Sequence, residues 1–259
     1  MNTTLKGILL AFALFVGTWL VCRTSSSLYA AAVNAPPQTD LVLPADSEHS
    51  LGARLYRRDC AACHGIAGDG EGKLALTIPP HLPRNFRGEP FRFVSTDNSV
   101  VSRDDILRTI RRGIPEAGMP PALLCSPQEQ EALADYVLAM RQLGSGSGES
   151  AGELIPAPPQ EPPTSTKAGA ELFATYCAAC HGTDGTAKDA PAFPNSIGRL
   201  IKPRDLSSGE FHGGDTELDL YWRIRCGLPG TVMPAFSNEL LSDRQVRDII
   251  SFIRSLNQS

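Results

Sequence analysis

The hydrophobic positions of the chain begin with one continuous apolar run. Residues 8–22 read ILLAFALFVGTWLVC, with Lys6 before the run and Arg23 after it. Fifteen residues are few for a membrane span of about 20, and they lie at the upper end for a signal-peptide core. Extension back to Leu5, with the Lys6 side chain reaching the interface, lengthens the run to eighteen residues. The pattern favours an uncleaved anchor over residues 1–23, and a cleaved signal is the alternative.

Beyond this segment, apolar residues recur with the spacing of helices around loops. Residues 50–60 and residues 168–177 each place a leucine and an aromatic side chain on one helical face. Capping boxes predict where the later helices begin. In a capping box a Ser or Thr side chain accepts a hydrogen bond from the backbone three residues later, and the acid or amide at that position bonds back to the Ser or Thr backbone. Four such boxes are present: Ser102/Asp105, Ser126/Glu129, Thr216/Asp219 and Ser242/Gln245. We therefore predict helices after each of them, the last ones ending near Leu143 and Leu256.

The chain contains an internal repeat. Residues 52–65, GARLYRRDCAACHG, recur at 169–182 as GAELFATYCAACHG, and residues 110–120 recur at 224–234 with a Met-Pro pair at their end. Between the copies, Gly, Ser and Pro dominate, a composition typical of a partly stiff linker. The expected organisation is an anchor or signal (1–23), a spacer (24–47), a first domain (48–143), a linker (144–166) and a second domain (167–259).

Composition and charge exclude several classes of protein. The 24 Lys and Arg residues nearly balance the 28 Asp and Glu residues, a net charge of −4, which argues against a nucleic-acid-binding protein. Hydrophobic residues make up 42% of the chain and charged residues 20%, as in ordinary globular proteins. Seven cysteines are an odd number and too few for a disulfide scaffold of this length. Four of the seven lie in the repeat, which points to a local chemical role.

The repeated cysteines have the C-x-x-C-H spacing of c-type haem attachment. Two thiols separated by two residues at a helix end can reach both vinyl groups of one porphyrin, and the adjacent imidazole then lies under the iron. A single CxxC also serves zinc sites and redox dithiols, but here the motif occurs twice in the same context. We predict two covalently attached haem c groups, held by Cys60, Cys63 and His64 and by Cys177, Cys180 and His181.

The sixth iron ligand decides between electron transfer and ligand chemistry. Met119 lies 55 residues after His64, and Met233 lies 52 residues after His181, each in a Met-Pro turn. We predict both methionines as axial ligands, whereas Met140 falls inside the last helix of its copy and is expected to pack in the core. His/Met ligation saturates the iron and suits one-electron transfer. Three histidines lack a counterpart in the other copy and are expected in loops or at the surface: His49, His81 and His212.

These motifs resemble two class I cytochrome c domains fused in tandem, a dihaem c-type cytochrome. The resemblance covers about residues 47–143 and 166–259. It implies an all-α fold in which two helical domains each surround one haem, and in which a small residue lets the first and last helices cross closely. The matching pairs are Gly52 with Tyr136 and Gly169 with Phe252. It also implies haem attachment on the outer face of an energy-transducing membrane, so the domains are expected on the periplasmic side, anchored by residues 1–23 or released after cleavage.

Comparison of the two copies also identifies candidate haem-contacting arginines and cysteines outside the attachment motifs. Arg84 and Arg204 follow equivalent prolines, and we hypothesise that they pair with haem propionates, because a guanidinium matches the fork of a carboxylate. The alternative is that they are plain surface arginines. Cys125 and Cys226 do not fit the repeat and are expected to be small buried hydrophobes. An interdomain disulfide is the alternative for them.

The predicted function is the transfer of single electrons between two haems and redox protein partners, among them membrane oxidoreductase complexes. The near-neutral charge implies docking through local patches and not through long-range steering. One alternative is a dihaem enzyme, such as a peroxidase or a sulfur or nitrogen oxidoreductase, which needs an open iron position that the two Met-Pro segments do not leave. Another is a fixed cytochrome subunit of a larger oxidoreductase complex.

Overall fold

A computed structural model describes residues 50–77, 82–145, 149–159 and 164–258 of the chain. The predicted anchor and spacer, residues 1–47, lie outside these ranges, as do His49 and His81. Among the residues that the structure describes, no helix has the length and apolar character needed to cross a membrane.

The first domain is built from helices around loops, as predicted. A turn of 3-10 helix lies at Ala75–Thr77 and another at Pro115–Ala117. The helices are α1 (Leu51–Asp59), α2 (Ala61–His64), α3 (Arg103–Arg112) and α4 (Pro127–Ser145).

The second domain repeats this plan and adds a short antiparallel hairpin of β1 (Phe193–Pro194) and β2 (Leu200–Ile201). Its first helix begins two residues before the predicted start, because the Ser165 side chain accepts a hydrogen bond from the Ala168 amide and caps it there. The helices are α5 (Thr166–Tyr176), α6 (Ala178–His181), α7 (Glu217–Cys226) and α8 (Asp243–Ser255), and a 3-10 turn follows at Leu256–Gln258. The predicted all-α class is confirmed, with the hairpin as a minor addition.

All four predicted capping boxes are formed. At α3, α7 and α8 the capping side chain and the side chain three residues later bond each other's backbone amide. At α4, the Ser126 amide donates to Glu129 at 2.7 Å and the Glu129 amide donates to the Ser126 hydroxyl at 3.3 Å. Helix starts are therefore local features of this sequence, satisfied within four residues.

The first and last helices of each domain cross at a glycine. A Cβ atom on Gly52 would overlap the Ala132 carbonyl oxygen and lie 2.8 Å from the Tyr136 Cβ. A Cβ on Gly169 would overlap the Asp248 carbonyl oxygen and lie 3.0 Å from the Phe252 Cβ. The structure thus has the close helix approach that the sequence predicted at both glycines.

The linker is more ordered than its composition suggests. Helix α4 continues through Gly144 to Ser145, and residues 149–159 lie along the first domain. The Asp97 amide donates to the Glu153 carbonyl at 3.0 Å, and the Ile155 amide donates to the Ser95 carbonyl at 2.8 Å. Ile155 packs against the cores of both domains. Composition alone does not indicate this packing, because the backbone partners belong to a loop that is far away in sequence.

The two domains are in contact through α3 and α7. The Arg108 guanidinium stacks over the Trp222 ring, 4.4 Å from its centroid, and these residues are 114 apart, the offset of the repeat in this region. Contact between equivalent positions indicates an approximate two-fold relationship of the two helices. Across the same interface, Arg112 pairs with Asp219 at 2.6 Å, and the Trp222 indole donates to the Ile155 carbonyl at 2.8 Å.

Candidate haem-binding sites

Each CxxCH motif lies at a helix junction. Cys60 ends α1 and begins α2 with φ −116° and ψ −37°, and Cys177 does the same between α5 and α6 with φ −119° and ψ −34°. The His64 amide donates to the Cys60 carbonyl at 2.9 Å, and the His181 amide donates to the Cys177 carbonyl at 3.0 Å. The single helical turn places both cysteines and the histidine of each motif together. The two sites are copies of one backbone geometry.

The first thiol of each motif is protonated at neutral pH. Burial, followed by the nearby Asp59 carboxylate, raises the pKa of the Cys60 thiol to about 12. Burial, followed by the neighbouring Cys180, raises the pKa of the Cys177 thiol to about 11. All four thiols of the motifs are free and half-buried.

The two motif histidines are oriented by backbone carbonyls. The His64 Nδ1–H donates to the Arg84 carbonyl and the His181 Nδ1–H donates to the Arg204 carbonyl, both at 3.1 Å. A carbonyl only accepts, so the proton is on Nδ1 and the Nε2 lone pair is left for a metal. Burial lowers the pKa of both imidazoles, which keeps them neutral. Phe86 stacks on the His64 ring at 4.4 Å between centroids.

Met119 and Met233 are both half-buried and lie in hairpins attached to helix ends. The Ile114 amide donates to the Met119 carbonyl at 2.8 Å, and the Leu228 amide donates to the Met233 carbonyl at 3.2 Å. The glycine that ends each preceding helix has positive φ and so little space that a Cβ would crowd the Met-Pro backbone. Each methionine is therefore held by local backbone bonds. Met140, by contrast, lies on α4 and packs in the core of the first domain, 1% exposed, as predicted.

Arg84 and Arg204 contact protein acceptors through their guanidinium groups. Arg84 pairs with Glu89 at 2.6 Å, and Arg204 donates from Nε to the Glu210 carbonyl at 2.8 Å. Their carbonyl oxygens orient the histidines, a role that the sequence analysis missed because a backbone acceptor has no sequence signature. Their pairing with propionates stays a prediction.

Two arginines that the sequence analysis did not single out line a cavity between the domains. Arg92 and Arg223 each have a buried Nε that finds no hydrogen-bond acceptor among the described residues. Burial lowers the pKa of Arg223 to about 10, with Asp219 opposing the shift. Repeat comparison could not find Arg223, because the equivalent residue in the first domain is Thr109.

These orphaned donors fit the group that the motifs imply. A buried guanidinium N–H without an acceptor costs free energy, and a carboxylate such as a haem propionate is a suitable acceptor. Free thiols, a neutral imidazole and buried guanidinium N–H groups without an acceptor are together the groups that would hold a haem c and its propionates. Among the described residues there is no cluster of three or more His, Cys, Asp or Glu side chains that could hold a metal ion by themselves.

The remaining cysteines are separate from these sites. Cys125 and Cys226 are buried, 8% and 4% exposed, and both thiols are free. The Cys125 thiol contacts Asp59 at 3.5 Å, and the Cys226 thiol contacts the Thr96 carbonyl at 3.6 Å. No disulfide joins the cysteines in the described part of the chain, so they are the small buried residues that we expected.

Comparison with known proteins agrees with this geometry. The family model of cytochrome c matches residues 166–257, and that of cytochrome c oxidase, cbb3-type, subunit III matches residues 47–137. The cbb3-type cytochrome c oxidase subunit CcoP of Rhodobacter capsulatus is 28% identical, over 84% of this chain and 67% of its own length. The subunit CcoP of Rubrivivax gelatinosus is 30% identical, over 90% of this chain and 62% of its own length. The chain thus spans roughly two thirds or less of these relatives.

A solved structure is similar over a larger share of its own length. A chain of the Kuenenia stuttgartiensis reducing HAO-like protein complex Kustc0457/Kustc0458 has 29% identity and a TM-score of 0.71, over 80% of this chain and 95% of that one. The repeated attachment motifs, the oriented histidines and the two family matches lead to one conclusion. The chain belongs to the dihaem c-type cytochromes, with two tandem cytochrome c domains that each carry one covalently attached haem c.

Proposed function

We propose that this chain is the electron-transferring cytochrome subunit of a membrane-bound oxidoreductase complex of the cbb3-type oxidase class. The observation that carries the proposal is the match of the first domain to the cbb3-type subunit III family, together with relatives that are named as subunits of that oxidase. A fixed subunit is therefore favoured over a free carrier. Residues 1–23 then serve as the anchor, with both domains on the periplasmic side.

In this proposal two cysteines of each domain would attach its haem, and a histidine and a methionine would ligate the iron. These residues would be His64 and Met119 in the first domain and His181 and Met233 in the second. When bound, each haem c supplies an iron that takes up and releases one electron. Burial keeps the two imidazoles neutral, and the carbonyl acceptors hold the proton on Nδ1 and fix the orientation of each ring. The Met119 and Met233 hairpins would exclude exogenous ligands from the iron.

The domain contact gives the two haems a defined arrangement. Arg112 pairs with Asp219, whose carboxylate is only 4% exposed, and the Ser99 hydroxyl donates to the Cys226 carbonyl at 3.1 Å. Partly buried ion pairs of this kind are costly to break, because the acid is left without a partner. We infer that electrons pass between haems held at a constant separation and not between domains that swing on the linker.

We expect the Arg92→Met and Arg223→Met variants to lower a haem midpoint potential. Reduction removes one positive charge from the iron, and a buried cation nearby favours that change, so its loss favours the oxidised form. We expect a fall of about 60 mV, a tenfold change in a one-electron equilibrium, in a redox titration of each variant. Arg54→Met, at an exposed position of α1, is the control. Unchanged potentials in both variants would remove the propionate role of the two arginines, and Arg84→Met tests the earlier assignment in the same way.

The subunit role is tested by purification of the full-length chain from membranes in mild detergent. We expect both haems to be low-spin with no spectral response to CO, and a terminal oxidase to accompany the chain. A homogeneous chain without any partner, released from membranes by salt, would contradict the subunit role and favour a free carrier. A CO-binding haem would contradict the proposed axial ligands.

A second candidate rests on the structural similarity to a chain of a reducing HAO-like protein complex, which has 29% identity and a TM-score of 0.71. In this candidate the chain is a dihaem subunit that exchanges electrons with an oxidoreductase of that class. In the same purification, co-isolation with an HAO-like protein and not with an oxidase would select this candidate.

A further inference from the structure

We propose that Arg225 is the positioning residue of the second domain's Met loop, residues 228–241, and that Gln130 does the same for the first domain's Met loop, residues 114–125. The two donors come from different helices, and they close equivalent loops through the same two carbonyl positions. The proposal rests on the axial role of Met233 and Met119 given above, and it adds how each loop is closed.

The Arg225 side chain is 3% exposed and ties the loop to two helices. Its Nη1 donates to the Phe236 carbonyl at 3.0 Å, the Ser237 carbonyl at 3.2 Å and the Leu241 carbonyl at 2.6 Å. Its Nη2 donates to Asp243, the first residue of α8, at 2.6 Å. One guanidinium therefore joins the end of α7, the segment after Met233 and the start of α8.

The charged and titratable groups around this guanidinium are few. Asp243 accepts hydrogen bonds from both Arg225 and the Tyr221 hydroxyl, each at 2.6 Å, and the Tyr221 ring lies 5.2 Å from the guanidinium carbon. Glu239 is the other acid near the guanidinium, and Arg225 makes the smallest of the contributions that lower the pKa of its carboxyl. The cation is thus held by one carboxylate and three carbonyl dipoles, which suits a fixed structural role.

In the first domain an amide takes this place. The Gln130 Nε2 donates to the Ala122 carbonyl at 2.9 Å and the Cys125 carbonyl at 3.2 Å. Gln130 lies on α4, the helix that follows the loop, whereas Arg225 lies on α7, the helix that precedes it. The repeat equivalent of Arg225 is Arg111, which is 45% exposed and points to Gln130 and Glu131.

The bridged carbonyls correspond one to one. Ala122 and Phe236 are each three residues after the methionine, and their amides donate to Ile110 and Ile224 at equivalent helix positions. Cys125 and Leu241 each precede the serine that caps the last helix of their domain. A side chain that donates hydrogen bonds to both carbonyls shortens the part of the loop that can move freely. Two unrelated residues in the two domains make the same closure, which indicates that the closure itself is required.

The consequence is that loss of either donor loosens only its own methionine. Without Arg225, the Phe236 and Leu241 carbonyls lose their buried donor, and unsatisfied buried carbonyls favour an opened loop. An opened loop lets Met233 leave the iron more easily, and weaker Met ligation lowers the haem potential. The first domain keeps its own bridge and is not affected.

The test uses the full-length dihaem protein with Arg225→Met, Arg225→Lys and Gln130→Leu, and with Arg244→Met as control. Arg244 is on the same helix as Asp243 but is 48% exposed, and its one described ion pair is 3.9 Å long. Three readouts are taken: the weak far-red absorption band of ferric Met-ligated haem, the two midpoint potentials, and amide hydrogen exchange of residues 114–125 and 228–241.

We expect Arg225→Met to lose about half of the far-red band, to lower the second midpoint only, and to speed exchange only in residues 228–241. Gln130→Leu is expected to do the same to the first midpoint and to residues 114–125. Arg225→Lys keeps a cationic donor and should recover part of each signal. Arg244→Met should match the wild type.

Unchanged exchange and an unchanged band in Arg225→Met, or changes that are equal in both domains, would overturn the proposal. If Arg225→Met does not fold, Arg225→Lys and Gln130→Leu decide, and wild-type behaviour of both would overturn it as well. Failure of the proposed axial ligands is seen separately, as a wild-type protein that lacks the far-red band. Hydrogen exchange still reports on loop closure in that case.

Discussion

Replacement of Cys177 and Cys180 by alanine is expected to yield a chain with one covalently bound haem instead of two. The thiols of the second motif lie on the α5–α6 junction and cannot be replaced by the buried Cys226 thiol, which contacts the Thr96 carbonyl and packs in the core of the first domain. The measurement is the haem-to-protein ratio after denaturation and extraction, which removes haem that is not covalently bound.

The loss should also destabilise the second domain. A haem makes its packing contacts with the folded domain only, so it stabilises the folded state, and covalent attachment keeps it at the site at a high effective concentration. We expect the melting transition of the second domain to move to a lower temperature while the first domain's haem keeps its spectrum. Cys226→Ala is the control and should retain two haems. Two retained haems in the double-alanine variant would contradict the assignment of the motif.

Gly169→Ala is expected to destabilise the chain by at least about 3 kcal/mol, the upper end of the usual cost of overpacking. The added methyl group would overlap the backbone carbonyl of Asp248, and a backbone atom cannot move away as a side chain can. The helices α5 and α8 must therefore separate, which opens the core around Phe173 and Ile249, 1% and 0% exposed. Chemical denaturation of the holo protein measures the change.

Glu171→Ala is the matched control for this experiment. It lies on the same helix at an exposed position, so the same methyl-bearing residue is introduced without a clash, and we expect a change within about 0.5 kcal/mol. Gly52→Ala should reproduce the large effect in the first domain, where the clash is with Ala132. A small effect at both glycines would show that the crossings are looser than the structure describes.

Prediction from sequence succeeded wherever the determining interactions are local. The capping boxes at Ser102, Ser126, Thr216 and Ser242 are closed within four residues, so the chain specifies them without tertiary help. The CxxCH motifs are also local, since one helical turn contains every ligand that the motif supplies. The glycines at the helix crossings were expected from the resemblance to class I cytochrome c domains, which matched Gly52 with Tyr136 and Gly169 with Phe252.

Prediction from sequence was silent where the partner is distant in sequence. The composition of residues 144–166 indicated a linker but not that Ile155 packs against both cores, because its backbone partners are loop residues near Ser95. The sequence was silent on the Arg84 and Arg204 carbonyls, which accept hydrogen bonds from the motif histidines, and the pairing of their side chains with propionates stays a prediction. Repeat comparison also missed Arg223, whose equivalent is Thr109. It missed the role of Arg225 as well, because its equivalent Arg111 is exposed and Gln130 makes the loop contacts in the first domain.

By itself, therefore, the sequence determined the two haem attachment sites, the helical class and the helix starts of this protein. Each of these depends on residues a few positions apart, whose geometry the backbone of one helical turn dictates. Only the tertiary structure decided which donors close the Met loops, which buried arginine Nε groups lack an acceptor, and how α3 meets α7. Those features depend on burial and on pairings over more than ten residues of chain, and no local pattern encodes which distant atom will be the partner.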